Sequence, residues 1–440
     1  MSSASSVTEK CANHPKALST AEAVEAQKPS PVETDSEFPE GGMQAWLAVL
    51  GSTLVYFASF GVINSFGTFQ EFYLRDYLSD YTATVIAFIG ALQITLLYVA
   101  GVIIGPLFDA IGLTYLYPIG CIGSVLSLVA LSFTKPQNIY QQFLSQGVLF
   151  GLAVGFGSYP ALAVVGQYFK QRRALAMGIV AAGSSVGGVC LPIMFSRLFP
   201  RIGFAWSVRV GALITLICYL TAMAVSRTRL PKKPMKNASD LVDFSGFKDP
   251  RYSIFALGSV LVNLGLYTPY YYIEPYAVLF GVSASLHPYF LPMINGLSFF
   301  GRIIGGQLAD RYGRMNILCP ATVLSGVLCL VLWLPSKGAA PLVVFACSYG
   351  FFSGIFISVS PAAVGQISPT DKLGARIATF FVPVALATLV GTPIGGAFVK
   401  NGTEEEYHHV AIFAGVMITA GSILMYVARL WCSRDLREKW

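Results

Sequence analysis

Apolar residues run through this chain in stretches of membrane-crossing length, separated by short polar breaks. The first six cover about 43–69, 83–104, 114–133, 140–166, 174–195 and 205–225. A polar stretch from Ser226 to Arg251 follows. Six more runs then cover about 253–278, 288–309, 315–334, 340–363, 374–398 and 408–430. Each is close to the roughly 20 residues that an α-helix needs to cross hydrocarbon. Six runs, a polar connection and six more suggest a duplicated unit. The pattern predicts an all-α membrane protein with twelve transmembrane helices in two pseudo-symmetric six-helix bundles. The domains expected are an N-terminal tail over 1–42, a first bundle over 43–225, a linker over 226–252, a second bundle over 253–430 and a C-terminal tail over 431–440.

Composition excludes the soluble alternative. Hydrophobic residues make up 55% of the 440 and charged residues only 12%, against roughly 25% charged in ordinary soluble domains. Loop charge then sets the orientation. With the N-terminus inside, 21 of the 29 Lys and Arg fall in the tails and inner loops and 6 in the outer loops. Arg209 and Arg302 lie within helices. Asymmetry of this kind places both tails and the linker in the cytosol. The net charge of +7 therefore implies attraction to anionic lipid, not to nucleic acid. The first forty residues are polar, with neither the apolar core of a secretory signal nor an Arg-rich transit pattern, and read as disordered. Of the eight cysteines, none forms a CxxC pair or a cluster of metal-ligand spacing, so no disulfide framework or metal site is expected.

Glycines and prolines punctuate the runs, as in Gly151, Gly155, Gly157 and Pro160, or Gly391, Pro393, Gly395 and Gly396. Small residues at this spacing let helices approach closely, and Pro opens local bends. They serve static packing, rocking hinges, or both.

The most specific short pattern is Gly306-Gln-Leu-Ala-Asp310-Arg311-Tyr-Gly313-Arg314, between the eighth and ninth runs. An Asp there can accept N–H groups at a helix N-terminus, and the arginines can pair with acids or lipid phosphate. It resembles the GxxxDRxGR loop signature of the major facilitator superfamily. The matching place in the first half, Gly105-Pro-Leu-Phe-Asp109-Ala-Ile-Gly112, keeps Gly and Asp but lacks the basic partners. Two further stretches, Glu40-Gly41-Gly42-Met-Gln-Ala45-Trp46 and Tyr168-Phe169-Lys170-Gln-Arg172-Arg173-Ala-Leu175-Ala176-Met-Gly178 running into Ala182-Gly183-Ser-Ser-Val-Gly187, are similar to signatures of the monocarboxylate porter family in its fungal form. The similarity spans about residues 38–432. It implies the major facilitator fold, with Asp310, Arg311, Arg314 and Asp109 in gating. Lys170, Arg172 and Arg173 read equally well as positive-inside anchors.

Departures from that family matter for mechanism. Carriers of lactate-like acids have a lysine eighteen residues after the motif Trp, where this chain has Asn64. They also have an Asp four residues before the helix-eight Arg, where this chain has Ser298. The Arg is present as Arg302. Placing an Arg mid-helix costs roughly 2.5–3.5 kcal/mol on insertion scales, which makes it a functional position by default. Its guanidinium suits a carboxylate or enolate. The alternative is a snorkelling Arg near the inner helix end, less favoured because Asp310 lies eight residues on. Asn64, Ser298, Asn295 and Tyr271 complete the candidate substrate-binding set, with Gln70, Gln93 and Gln167 as further polar positions that equally suit interhelical bonds.

Glu274 lies in the aromatic run Tyr267-Thr-Pro-Tyr270-Tyr271-Tyr272-Ile-Glu274-Pro275-Tyr276. The plainer reading is an interfacial aromatic belt with an exposed acid. The sharper one makes Glu274 a protonatable coupling group and the tyrosines a wall for a flat substrate. Asn401-Gly-Thr403, in the last outer loop, is a candidate glycosylation acceptor.

The function expected is secondary transport of a small amphipathic organic solute, an organic acid or secondary metabolite, exported across the plasma membrane, with protons a candidate second ligand. Uptake of a monocarboxylate or vitamin is the alternative within transport. No GxxxxGK[ST] phosphate loop supports ATP-driven transport. The four histidines form no acid–base or metal cluster within the membrane, which argues against an enzyme. The short tails leave little room for the signalling domain of a transporter-like receptor. No cofactor is expected, and the chain is expected to work as a monomer in the bilayer.

Overall fold

The computed structural model describes residues 39–169, 172–229, 244–368, 373–435 and 438–439. Within the unit Phe38–Trp440, every regular element among the described residues is helical. Most of the expected N-terminal tail and the middle of the linker lie outside the described residues.

The helices follow the apolar runs, with breaks that hydropathy does not show. Helix α1 (Met43–Asn64) gives way to α2 (Phe66–Phe72) and a π-helical stretch, Tyr73–Tyr77. At the break, the Ser65 hydroxyl donates to Gly61 O at 2.7 Å, drawing the chain out of straight helix. Helix α3 (Ala83–Ile111) is capped by Thr82, and α4 (Leu113–Leu131) follows. Helices α5 (Ile139–Gln142) and α6 (Gly151–Gly166) are joined by a π-helical stretch, Phe143–Phe150. Helix α7 (Arg173–Val225) folds back at Gly203 (φ 79°), a conformation that L side chains resist.

In the second half, α8 (Pro250–Leu266) starts with Asp249 as cap and Pro250 in the first turn, and passes at Tyr267 into α9 (Thr268–Leu279). Then come α10 (Phe290–Tyr312), α11 (Arg314–Leu328) with a π-helical end at Cys329–Trp333, α12 (Ala339–Gln366), α13 (Leu373–Phe398) and α14 (Glu404–Cys432).

Ten segments among the described residues are long and apolar enough to span a membrane. One of them, Leu175–Val225, is folded at Gly203 and so crosses twice. Helix α10, made more polar by Arg302, Asp310 and Arg311, supplies the last of the twelve crossings. Burial has the polarity of a membrane protein. Ile103, Ile122, Leu126, Leu213 and Leu386 point outward, while Gln93, Gln146, Ser298 and Arg302 are buried. That inversion is what lipid as solvent requires.

Helices α1–α7 and α8–α14 meet along two seams, α7 against α10 and α3 against α13. Across the second, the Thr95 hydroxyl donates to Ala385 O at 3.2 Å. Glycines set the spacing within each half. A Cβ on Gly301 would run into the Phe351 carbonyl of α12, and one on Gly350 into that of Ile294. The turn at Gly313 marks one end of the molecule, called here the signature end. The Gly203 fold and the turn before α10 mark the distal end.

At the distal end the halves are closed on each other. Phe66 packs on Tyr271 with ring centroids 5.4 Å apart. Arg197 donates to the Tyr289 hydroxyl at 2.6 Å. Gly396 of α13 leaves no space for a side chain against Thr84 of α3 and the Tyr272 hydroxyl.

Candidate functional site

Arg302 sits where α10 meets α7, in the middle of the first seam. It is 5% exposed. Its Nε donates to Ser298 Oγ one turn earlier, at 3.2 Å. Its Nη1 donates across the seam to Ala181 O at 2.8 Å and to the Ser184 hydroxyl. Tyr56, Tyr98, Tyr267 and Tyr270 lie around it. Among the described residues it has no carboxylate partner, and Nη2 makes no hydrogen bond. A guanidinium in this setting is held in place entirely by neutral oxygens. Among the described residues, no carboxylate compensates its charge, although the side chain is buried.

Asn64 joins the same cluster. Its Nδ2 donates to Ser184 O at 3.3 Å, so α1, α7 and α10 converge on one serine. The sequence pattern identified Asn64, Ser298 and Arg302, and the fold brings them together through Ser184. That serine lies inside the Ala182–Gly187 stretch but carried no signal of its own, because a helical serine usually bonds its own backbone. Tyr98 and Phe381 carried no signal in the sequence either. Tyr98 of α3 stacks on Phe381 of α13 at 5.0 Å across the second seam, and the Tyr98 and Tyr267 phenols interact.

Asn295 and Tyr271 lie apart from Arg302. The Asn295 amide donates to Leu291 O in its own helix at 3.1 Å, its Oδ1 is unpartnered, and its side chain packs on Gly188 of α7. Tyr271 turns toward Phe66, and its hydroxyl has no partner. Both face the seams on the distal side of Arg302.

The reading of Glu274 as an exposed acid in an interfacial belt is overturned. Glu274 is 6% exposed, and Tyr270, Tyr271, Tyr272 and Tyr276 are all buried. The Tyr267 break rotates α9 so that its aromatic face packs inward. Glu274 Oε1 lies 3.1 Å from His287 Nδ1. Hydrogen bonding to Glu274 lifts the His287 pKa above the ordinary imidazole range.

At the signature end, Arg314 donates to Ala362 O near the C-terminal end of α12 at 3.0 Å, where backbone carbonyls concentrate negative charge. Arg311 lies over the Tyr312 ring at 5.3 Å. Asp310 is exposed, and among the described residues it caps no helix and forms no ion pair. The Asp109 side chain lies outside the described residues, as does Lys170. The two longer sequence stretches touch here. Glu40 N donates to Tyr168 O at 3.2 Å, Glu40 Oε2 accepts from Arg172 N at 3.1 Å, and Trp46 meets Phe169 edge-on at 5.3 Å.

Arg429 is a functional-looking residue that the pattern did not single out. Fully buried, it donates to Asn316 Oδ1 at 2.6 Å and to the carbonyls of Ser433, Asp435 and Glu438 at 2.6, 2.9 and 3.0 Å. At the distal end, Asn401 donates to Glu406 Oε1 at 3.2 Å, beside the capping box that Thr403 forms at the start of α14.

A family model described as Major Facilitator Superfamily matches residues 46–349 and 306–439. The chain belongs to the major facilitator superfamily. It is a multi-pass membrane transporter for small molecules. Among relatives of this superfamily, an MFS transporter, asaE, of Aspergillus flavus is 37% identical over 404 residues, covering 92% of this chain and 91% of the relative. The aspyridones efflux protein apdF of Emericella nidulans is 35% identical over 404 residues, covering 91% and 81%. The agnestins efflux protein AgnL12 of Paecilomyces divaricatus is 34% identical over 425 residues, covering 97% and 95%. A crystal structure of the peptide transporter POT in complex with sulfate superimposes with a TM-score of 0.69 at 14% identity, covering 92% of this chain and 98% of that one. At that identity the likeness concerns the fold alone.

Proposed function

We propose that this transporter exports a small, amphipathic, anionic organic solute, a secondary metabolite, and that Arg302 holds its negative charge. The observation that carries the reading is the buried guanidinium at the seam, bonded among the described residues to Ser298, Ala181 and Ser184. A planar fork with one nitrogen unpartnered suits a carboxylate or enolate. The surrounding tyrosines favour an apolar, flat body. Relatives named as efflux proteins for aspyridones and agnestins support export and a secondary metabolite. Loop charge supports a cytosolic signature end and cytosolic tails. Within the superfamily the chain fits a fungal branch of the monocarboxylate porters, modified at Asn64 and Ser298. We place it in the plasma membrane, working as a monomer. Any proton coupling runs through Glu274.

The test measures solute binding and transport in vesicles. Arg302→Ala should abolish binding and Arg302→Lys should recover only part of it. Removing one partner of a desolvated charge pair typically costs about 2–5 kcal/mol, roughly 30- to several-thousand-fold in affinity. Wild-type affinity in Arg302→Ala, at matched expression, would make Arg302 merely structural.

A further inference from the structure

Arg209 is the second arginine within an apolar run, and binding at the Arg302 seam makes no use of it. It lies on the second limb of α7, six residues past the fold at Gly203. That puts its backbone roughly 9 Å inside the distal end, at about 1.5 Å per residue. The side chain turns back toward that end, where its Nε donates to the Ser132 hydroxyl, just past α4, at 3.1 Å. The guanidinium lies over the Phe133 ring at 4.9 Å and the Trp206 ring at 4.8 Å. Both rings face outward, 69% and 61% exposed. Among the described residues Arg209 forms no ion pair, and its Nη1 and Nη2 make no hydrogen bond. A cation at the end of an apolar run, facing lipid without a partner from the chain, matches an anion of the bilayer.

Phe133 also walls a groove. Ala130, Phe133 and Thr134 at the end of α4, with Gln141, Leu144 and Leu149 across the connection, border a volume of about 340 Å³. At its polar end Gln141 Oε1 accepts from Lys135 N at 2.7 Å, and the exposed Lys135 adds a second cation. Leu144 faces outward, so the groove opens to hydrocarbon. From Gln141 to Leu149 it runs on the order of 10 Å along the helix. We propose that this face binds one phospholipid of the distal leaflet, its phosphate on Arg209 and an acyl chain in the groove. The two rings hold the guanidinium in place, which leaves both terminal nitrogens to meet two phosphate oxygens. Charge selects the headgroup and the groove takes the chain, so neither a free anion nor a neutral lipid satisfies both. Bound there, the lipid joins the second limb of α7 to α4 and α5 within the first half.

This site depends neither on Arg302 nor on export, and its test needs no solute. Purified, delipidated protein in detergent is incubated with phosphatidylglycerol, or with diacylglycerol carrying the same chains. Native mass spectrometry then counts the lipid that stays bound. Wild-type protein should retain one phosphatidylglycerol and at least about 5-fold less diacylglycerol, because the guanidinium reads phosphate. Arg209→Gln should lower phosphatidylglycerol retention at least about 5-fold, and Arg209→Lys should keep part of it, since charge remains but the fork is lost. Ala130→Leu fills the groove and leaves the charge intact, and should lower retention as Arg209→Gln does. Equal retention of the two lipids by wild type, or equal phosphatidylglycerol retention by wild type and Arg209→Gln, would overturn the phosphate site. Undiminished retention in Ala130→Leu would overturn the groove as the seat of the chain. The comparison of the two lipids uses the wild-type chain alone, so a folding defect in a variant still leaves it to decide.

Discussion

Single side chains in this protein carry charge where charge is expensive, and each is held differently. Arg302 is legible in the sequence because an arginine in the middle of an apolar run has few reasons to be there. Its environment is not legible, since Ser184 lies 118 positions away along the chain. Arg429 lies in the last turn of α14 and is fully buried. In the fold it gathers three carbonyls of the C-terminal segment and the Asn316 side chain. Asn316 Nδ2 reinforces this by donating to Glu438 O at 2.8 Å. Removing the guanidinium strands those acceptors, at a cost of about 1–3 kcal/mol for a buried group left unpaired. We expect Arg429→Ala to free the C-terminal segment, so that trypsin cuts after the exposed Arg434 several-fold faster in purified protein. Equal cleavage rates would show that the segment is held by something else.

At the scale of elements, the apolar runs located the crossings but not their interruptions. The breaks at Ser65 and Tyr267 fall in the first and seventh crossings. They matter because they re-aim α2 and α9, whose Phe66 and Tyr271 then pack together. Hydropathy is blind to them, as Ser65 and Tyr267 sit within otherwise unbroken runs. The start of α14 shows the opposite case, where local chemistry is sufficient. Thr403 caps the helix, Glu406 completes the box, and Thr403 is also the third residue of the candidate glycosylation sequence. Thr403→Ala should therefore lower the thermal midpoint by a few degrees and abolish any glycosidase-sensitive mass shift, while Thr403→Ser preserves both. If wild-type protein from a glycosylating host shows no mass shift, the assignment of Asn401 to glycosylation fails, and the capping effect stands alone.

On the scale of the whole molecule, the two halves meet in a state closed at the distal end. In that state the Gly306–Arg314 signature is only partly engaged. Arg314 holds α12, while Asp310 is exposed and without an ion pair among the described residues. A signature charge idle in one state suggests work in the other, since only differential contacts can shift a two-state equilibrium. We expect Asp310→Asn to slow transport markedly while leaving the melting temperature near wild type, and Asp109→Asn, without basic neighbours in its loop, to do less. Matched transport rates for wild type and Asp310→Asn at equal surface expression would remove Asp310 from gating.

The sequence by itself determined the solvent, the helical class, the count of crossings and the position of Arg302. Those follow from local quantities, namely the length of apolar runs and the cost of a charge within them. Only the tertiary structure decided which polar groups share a site. Bonding Arg302 and Asn64 to Ser184, stacking Tyr98 on Phe381, and burying Glu274 against His287 all depend on how α1, α3, α7, α9, α10 and α13 are rotated and bent. Burial in a membrane bundle is a property of the helix face, and the face turns with every π-helical stretch or break. A residue such as Glu274 near the end of an apolar run reads as interfacial until its helix is seen to start at Thr268 and pack its aromatic face inward.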